Sequence, residues 1–264
     1  MGTSKIEWTD KVWNPVTGCT KVSEGCRNCY AESFANRFWI DKIRYQDTGK
    51  KVKRPFDAIL CHPERLEQPL HWKKPCKIFV CSMADLFHES IYFSDIDCVF
   101  NTMLNADQHI YMILTKRPKN LKNYLHDNEW IMRNVGHIWL GVSVEDQKTA
   151  DERIPVLLSI PAKVHFVSCE PLLETIDLEL SGRNYGIDHK DWSERLDWVI
   201  VGAESGPKRR KCQLSWIDYI IRQCRESSIP VFIKQIHYCG ELIHAKDFNN
   251  FFSKGLFPTE FPKE

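Results

Sequence analysis

Six short apolar runs recur along the chain: Lys77–Cys81 (KIFVC), Tyr111–Leu114 (YMIL), Ile138–Val142 (IWLGV), Lys163–Val167 (KVHFV), Trp198–Val201 (WVIV) and Val231–Ile233 (VFI). They are apolar on both faces and rich in β-branched and aromatic residues, the signature of strands buried inside a parallel sheet. Helical patterns lie between them. Ser94-Asp95-Ile96-Asp97 opens one with a cap-like S-x-x-D and a stripe of Ile96, Val99, Phe100 and Met103. Ser215-Trp216-Ile217-Asp218 opens another, with Ile217, Ile220, Ile221 and Cys224 on one face. Helices also fit Cys29–Phe38, Lys119–His126 and Ala150–Ile160, where Pro155 would kink the helix or mark its start.

Upstream, residues 5–17 read as a first strand or extended segment, and residues 39–76 as irregular, with a basic run at 50–54 and a candidate short strand at Phe56–Leu60. Strands alternating with helices predict an α/β fold, a parallel (β/α) barrel of TIM-like type, complete or partial, with a doubly wound open sheet as the alternative. A single domain over 1–264 is expected, with a polar insertion at about 181–196 and a peripheral tail at about 240–264.

Composition narrows the class. The 264 residues are 43% hydrophobic and 27% charged, ordinary for a water-soluble globular chain. No run of about eighteen apolar residues predicts a membrane span, and the start of the chain lacks the apolar stretch of a signal peptide, so a cytoplasmic address is expected. Eleven cysteines then read as thiols, metal ligands or core residues, not a disulfide framework. A net charge of +1 gives no global pull toward nucleic acid, so an anionic partner would have to meet local patches.

The sharpest local feature is Cys19-Thr-Lys-Val-Ser-Glu-Gly-Cys26-Arg-Asn-Cys29, a C-x6-C-x2-C loop running directly into a helical pattern with Tyr30, Phe34 and Phe38 four residues apart. Thiolates are soft ligands that select zinc, copper(I) or iron–sulfur clusters, and a helix N-terminus favours their negative charge. Clusters held by cysteine normally use four, so three imply a distant fourth ligand or an iron left open. An open iron is where S-adenosylmethionine binds in radical enzymes. A structural zinc site, built on Cys26 and Cys29, and a redox pair are the competing readings.

In parallel α/β folds working residues project from the C-terminal ends of strands. Six consecutive predicted strands end in Ser82-Met83-Ala84-Asp85, Thr115-Lys116-Arg117-Pro118, Ser143-Val144-Glu145, Ser168-Cys169-Glu170-Pro171, Gly202-Ala203-Glu204-Ser205 and Lys234-Gln235. Glu145, Glu170, Glu204 and Lys116 are the candidate acid/base or electrostatic groups. Ser82, Asp85, Ser143, Ser168, Ser205, Lys234 and Gln235 are candidate cofactor contacts. Arg117, Lys208, Arg209 and Arg210 at the expected rim suit an anionic substrate, a nucleotide or nucleic acid.

The segments IEWTDKVWNPVTGCTKVSEGCRNCYAE, FVCSMADLFHE, ILTKRPKN, GVSVEDQKTADERIP, FVSCEPLLETIDL, DWVIVGAESGP and VFIKQ resemble, in that order, those of a phage-associated family with a three-cysteine motif. That family is similar to radical S-adenosylmethionine proteins. The resemblance implies Cys19, Cys26 and Cys29 as ligands of a [4Fe-4S] cluster. It also implies S-adenosylmethionine as second cofactor, a 5′-deoxyadenosyl radical as reactive product, an external electron donor, and a separately encoded partner protein. Most of that superfamily space their cysteines C-x3-C-x2-C; here the first gap is six residues, and Ser82–Asp85 occupies the approximate place of the usual Gly-Gly-Glu stretch.

Overall fold

A computed structural model describes residues 6–39, 54–126, 135–180 and 196–262. Its strands are β1 (Lys11–Trp13), β2 (Val16–Thr17), β3 (Leu60–Cys61), β4 (Lys77–Val80), β5 (Ile110–Thr115), β6 (Ile138–Ser143), β7 (His165–Cys169), β8 (Trp198–Gly202), β9 (Val231–Tyr238) and β10 (Glu241–His244). The helices are α1 (Tyr30–Phe38), α2 (Pro63–Leu66), α3 (Phe93–Asn105), α4 (Pro118–Leu125), α5 (Gln147–Leu158), α6 (Leu214–Glu226) and α7 (Phe248–Phe251). β2 and β3 form a separate antiparallel pair. All other strands join one sheet in the order β1-β4-β5-β6-β7-β8-β9-β10, parallel throughout except for β10.

Strands at the six apolar runs stand as expected, because a strand covered on both faces has no polar side. One set of alternate residues (Ile78, Val80, Ile113, Leu140, Val142, Val167, Val199, Val201, Ile233) packs in the main core that also buries the stripes of α3, α5 and α6. The other set forms a second, aromatic-rich cluster of Phe79, Met112, Trp139, Phe166, Trp198 and Phe232, joined by Trp8. Trp8 touches Phe79 on β4 and Trp198 on β8, with centroids 4.7 and 6.2 Å away. Four strand spacings separate β4 from β8, roughly 19 Å in a flat sheet. One indole can reach both only if the sheet curls, so the aromatic cluster plugs the floor of a half-barrel.

The barrel is partial. β1 and β10 are the two edges and do not pair; the gap is bridged by Glu7, whose carboxylate accepts the N–H groups of Ala245 (3.3 Å) and Lys246 (3.4 Å). The segment expected as a peripheral tail is part of the structure. β10 extends the sheet, Ile233 N–H donates to Pro258 O at 2.8 Å, and the Trp198 indole donates to Glu260 O at 2.8 Å. The expected insertion at 181–196 lies outside the described residues except for Leu196, which is buried.

Helix starts differ from the sequence signals in instructive ways. α3 and α6 begin ahead of Ser94 and Ser215, and neither has a side-chain cap. α5 carries a capping box instead: Thr149 N–H donates to Asp146 Oδ1 at 2.8 Å, and Asp146 N–H donates to Thr149 Oγ1 at 3.2 Å. Pro155 sits inside α5 and gives up one backbone bond without ending it. Of the expected strand at Phe56–Leu60 only Leu60 is in a strand, as the first residue of β3.

Gly141 on β6 is required by the curl. A Cβ there would lie 2.5 Å from the ring of Phe166 on the neighbouring strand. Gly141→Val should therefore lower stability by about 1–3 kcal/mol through overpacking, seen as a lower denaturant midpoint with unchanged slope.

Candidate functional site

The same two-residue alternation that builds the aromatic floor continues upward past the strand ends. It delivers Leu114 and Lys116, Ser143, Ser168 and Glu170, Glu204, and Lys234 to the wall of one cavity of about 690 Å³, and Gln235, at the register shift between β8 and β9, lines it as well. Val12, Phe79 and Trp8 give it apolar lining, and Cys26 and Cys29 border it as well. A second cavity of about 400 Å³ is lined by all three loop cysteines, Cys19, Cys26 and Cys29, together with Lys21, Glu32 and Phe56. Cys26 and Cys29 thus form the wall between the thiol chamber and the larger cavity.

The cysteine loop is held from below by buried carboxylates. Glu145, 0% exposed, accepts the N–H of Gly25 at 3.3 Å and pairs with Lys116 (3.2 Å) and Arg153 (3.0 Å). The approach is close: a Cβ on Gly25 would sit 2.6 Å from Lys116 Nζ and 2.7 Å from the Glu145 carboxyl carbon. Asp85 accepts Thr115 Oγ1 (2.7 Å) and the N–H groups of Phe87 and Lys116, and it pairs with Arg117 at 3.3 Å. Arg117, only 6% exposed, reaches Cys19 Sγ at 3.7 Å and Thr20 Oγ1 at 2.9 Å, with Glu89 bracing its Nε at 2.9 Å. Arg117, expected as a substrate contact, Asp85, expected as a cofactor contact, and Glu145, expected as an acid/base group, thus all meet the scaffold. Arg117 is no rim residue, and Asp85 and Glu145 do not line the larger cavity.

The loop after β8 is fastened similarly. Glu204 accepts from Arg210 through its backbone N–H (2.7 Å), Nε (3.0 Å) and Nη2, and from Asn28 Nδ2 at 3.0 Å. Arg210 also meets Glu24 O at 3.0 Å, locking this loop to the cysteine loop. Lys208 offers its carbonyl to Asn28 (2.9 Å), and Arg209 donates to the carbonyls of Gly206 and Gly240. Inside the larger cavity, Lys234 pairs with Glu170, and Gln235 donates to the same carboxylate at 3.3 Å. Ser82, Ser143, Ser168 and Ser205 line that cavity as well.

The cavity also contains residues that the strand-end pattern did not single out. Asn14 follows β1 and accepts from Ser82 Oγ (3.3 Å) and the Met83 N–H (3.1 Å); the same logic applied to the first strand would have found it. Tyr30 donates to Ser82 O from the start of α1. His244 arrives from the antiparallel β10, which no strand-end rule predicts.

Burial pushes the Cys19 thiol up to about 11, with Asp85 adding to the rise and Arg117 opposing it. Burial also raises the Cys29 thiol, opposed by the backbone N–H groups of Glu32 and Ala31 at the start of α1. Both thiols stay protonated at neutral pH until a cation draws the proton away, so loading of this loop releases protons. Among the described residues no three His, Cys, Asp or Glu side chains close round a single-ion centre. A tetrahedral zinc site would need its sulfurs about 2.3 Å from one point.

The architecture is that of a mixed α/β half-barrel with a thiol loop over the C-terminal strand ends. The chain belongs to the family described as proteins of unknown function DUF5131, whose model matches residues 3–249. A comparison with curated proteins gives no match. Among solved structures, spore photoproduct lyase in a cysteine-to-serine mutant form is 11% identical with a TM-score of 0.49, over 88% of this chain and 78% of that one. The same enzyme complexed with dinucleoside spore photoproduct is 12% identical with a TM-score of 0.49, over 94% and 73%. No helix among the described residues is long and apolar enough to cross a membrane.

Arg117→Ala would leave Asp85 buried without its cation and should cost about 3–5 kcal/mol in unfolding experiments. Arg117→Lys keeps the charge but cannot span Asp85, Glu89, Thr20 and Cys19 at once, so it should recover only part of the loss. Burial alone would raise the Glu204 carboxyl, but Arg210 and Asn28 hold it below the ordinary carboxylate value of 4.5. Its contribution is present above that value and lost as pH falls through the lower folded value. The stability gap between wild type and Glu204→Gln should accordingly shrink as pH falls below the ordinary carboxylate value in denaturant titrations.

Proposed function

We propose that the protein is a radical S-adenosylmethionine enzyme acting on an anionic, nucleotide or nucleic-acid-like substrate. The observation that carries this reading is the shared wall: Cys26 and Cys29 border both the three-thiol chamber and the cavity at the strand ends. A cluster held by Cys19, Cys26 and Cys29 would have its fourth iron free of cysteine. When bound there, a [4Fe-4S] cluster with S-adenosylmethionine supplies, on one-electron reduction by an external donor, a 5′-deoxyadenosyl radical that takes a hydrogen atom from substrate.

The remaining tasks belong to the chain. Arg117 and the Gly25–Glu145 contact hold the loop in one shape, and Lys116 keeps a positive charge beside it. Glu145 is shared by Lys116 and Arg153 while Arg117 is shared by Asp85 and Glu89, so the charges under the loop are mutually compensated. Ser82, Ser143, Ser168 and Ser205 offer hydroxyls, and Glu170 with Lys234 offers a paired acid and base for polar ligand groups. Trp8, Val12, Phe79 and Leu114 give the cavity apolar lining for non-polar ligand groups.

Anaerobic reconstitution should give a brown protein holding about four iron and four sulfide per chain. Adding dithionite and S-adenosylmethionine should release 5′-deoxyadenosine, and Cys26→Ala should abolish that release. Tight stoichiometric zinc with no iron uptake would overturn the reading and leave a metal-stabilised binding protein.

A further inference from the structure

Helix α1 turns its small side chains inward and its large ones outward. Ala31 and Ala35 are its buried positions, whereas Tyr30, Phe34 and Phe38 are 47%, 50% and 54% exposed. Four-residue spacing puts the three rings on one face. Tyr30 and Phe34 line the larger cavity, and Phe38 continues the row with its ring 4.6 Å from Phe34. Arg37 lies over Phe38 at 5.0 Å. A row of half-exposed aromatic rings leading out of a cavity marks a surface that meets a ligand.

The charges nearby select the kind of ligand. Glu32 is neutralised by Lys21 at 2.9 Å, and Glu24 lies within reach of Arg27 and Arg210. The loop after β8, which contributes Glu204 and Ser205 to the same cavity, carries Lys208 and Arg209 without a carboxylate partner among the described residues. Flat faces at one cavity whose rim loop carries unneutralised cations complement bases joined by phosphates. The cavity is of small-molecule size, so a polymer could present one unit to it while the neighbouring units rest outside.

We propose that the Tyr30–Phe34–Phe38 face is a stacking platform for the nucleobases that flank the unit taken into the cavity, with Lys208 and Arg209 meeting the backbone phosphates. The substrate class is then a single-stranded or locally opened polynucleotide. This rests on the cavity being the substrate site of the enzyme proposed above. Phe34 supplies a flat surface at the lip, which an aliphatic side chain of similar bulk does not. Any base can stack there, so sequence preference must arise inside the cavity.

The test is fluorescence anisotropy with the full chain, as purified and after reconstitution, without reductant or S-adenosylmethionine. The probes are a single-stranded oligonucleotide of about twelve nucleotides, an abasic strand of equal length and charge, and a duplex. The single strand should bind more tightly than the other two. Phe34→Leu should weaken it roughly tenfold, Phe34→Trp should retain it, and both should melt like wild type. Arg209→Gln should make binding less steeply salt-dependent. Equal binding of base-bearing and abasic strands, or full binding by Phe34→Leu, would overturn the platform and assign these rings to a protein partner. Absence of binding to any strand would overturn it too. The deoxyadenosine assay uses no oligonucleotide, so failure of the radical reading and failure of the platform are separately visible.

Discussion

The ion pair of Asp85 with Arg117 connects the sheet to the thiols. Asp85 gathers the ends of β4 and β5 through Thr115 and the Lys116 N–H, and Arg117 carries that anchoring on to Cys19 and Thr20. A loop of eleven residues from Cys19 to Cys29 has little regular structure of its own beyond a turn of 3₁₀ helix at Glu24–Cys26. Its shape therefore comes from what lies beneath it. A guanidinium suits this task because its planar fork reaches several oxygens and a sulfur without losing its charge on burial.

Glu145 performs the parallel task one strand further on, shared between Lys116 and Arg153 and facing the Gly25 N–H. Buried charges are stable only when paired, and both carboxylates meet cations here, Asp85 through Arg117 and Glu145 through Lys116 and Arg153. Glu170 differs, because it and Lys234 face each other inside the cavity where a ligand can reach them. Glu204 is intermediate: it lines the cavity, yet most of its hydrogen-bonding capacity is used on Arg210 and Asn28. The strand ends thus divide into groups that brace the thiol loop and groups that face the space beside it.

Curvature makes this division possible. In a flat sheet, Lys116 and Lys234 would stand four strands apart. The curl that lets Trp8 touch both Phe79 and Trp198 also brings the strand tips above them around one cavity. The seam between β1 and β10 is bridged by Glu7, and the segment after β10 runs back along β9 through Pro258 and Glu260 instead of trailing from the sheet.

Amino-acid order alone determined the parallel strands, because a strand buried on both faces must be apolar throughout, and it determined the gathering of thiols, because they share one loop. It also indicated the strand ends, since side chains alternate in step along every strand. Which carboxylates would face the cavity was a tertiary matter. Asp85 and Glu170 look alike in the chain, yet the first meets Arg117 and is buried as a brace, while the second meets Lys234 within the cavity. Likewise, a stripe of Tyr30, Phe34 and Phe38 marks one helix face but not whether that face looks inward. Only the packing of Ala31 and Ala35 beneath α1 turned the rings toward the mouth, because the partner a side chain meets comes from distant sequence.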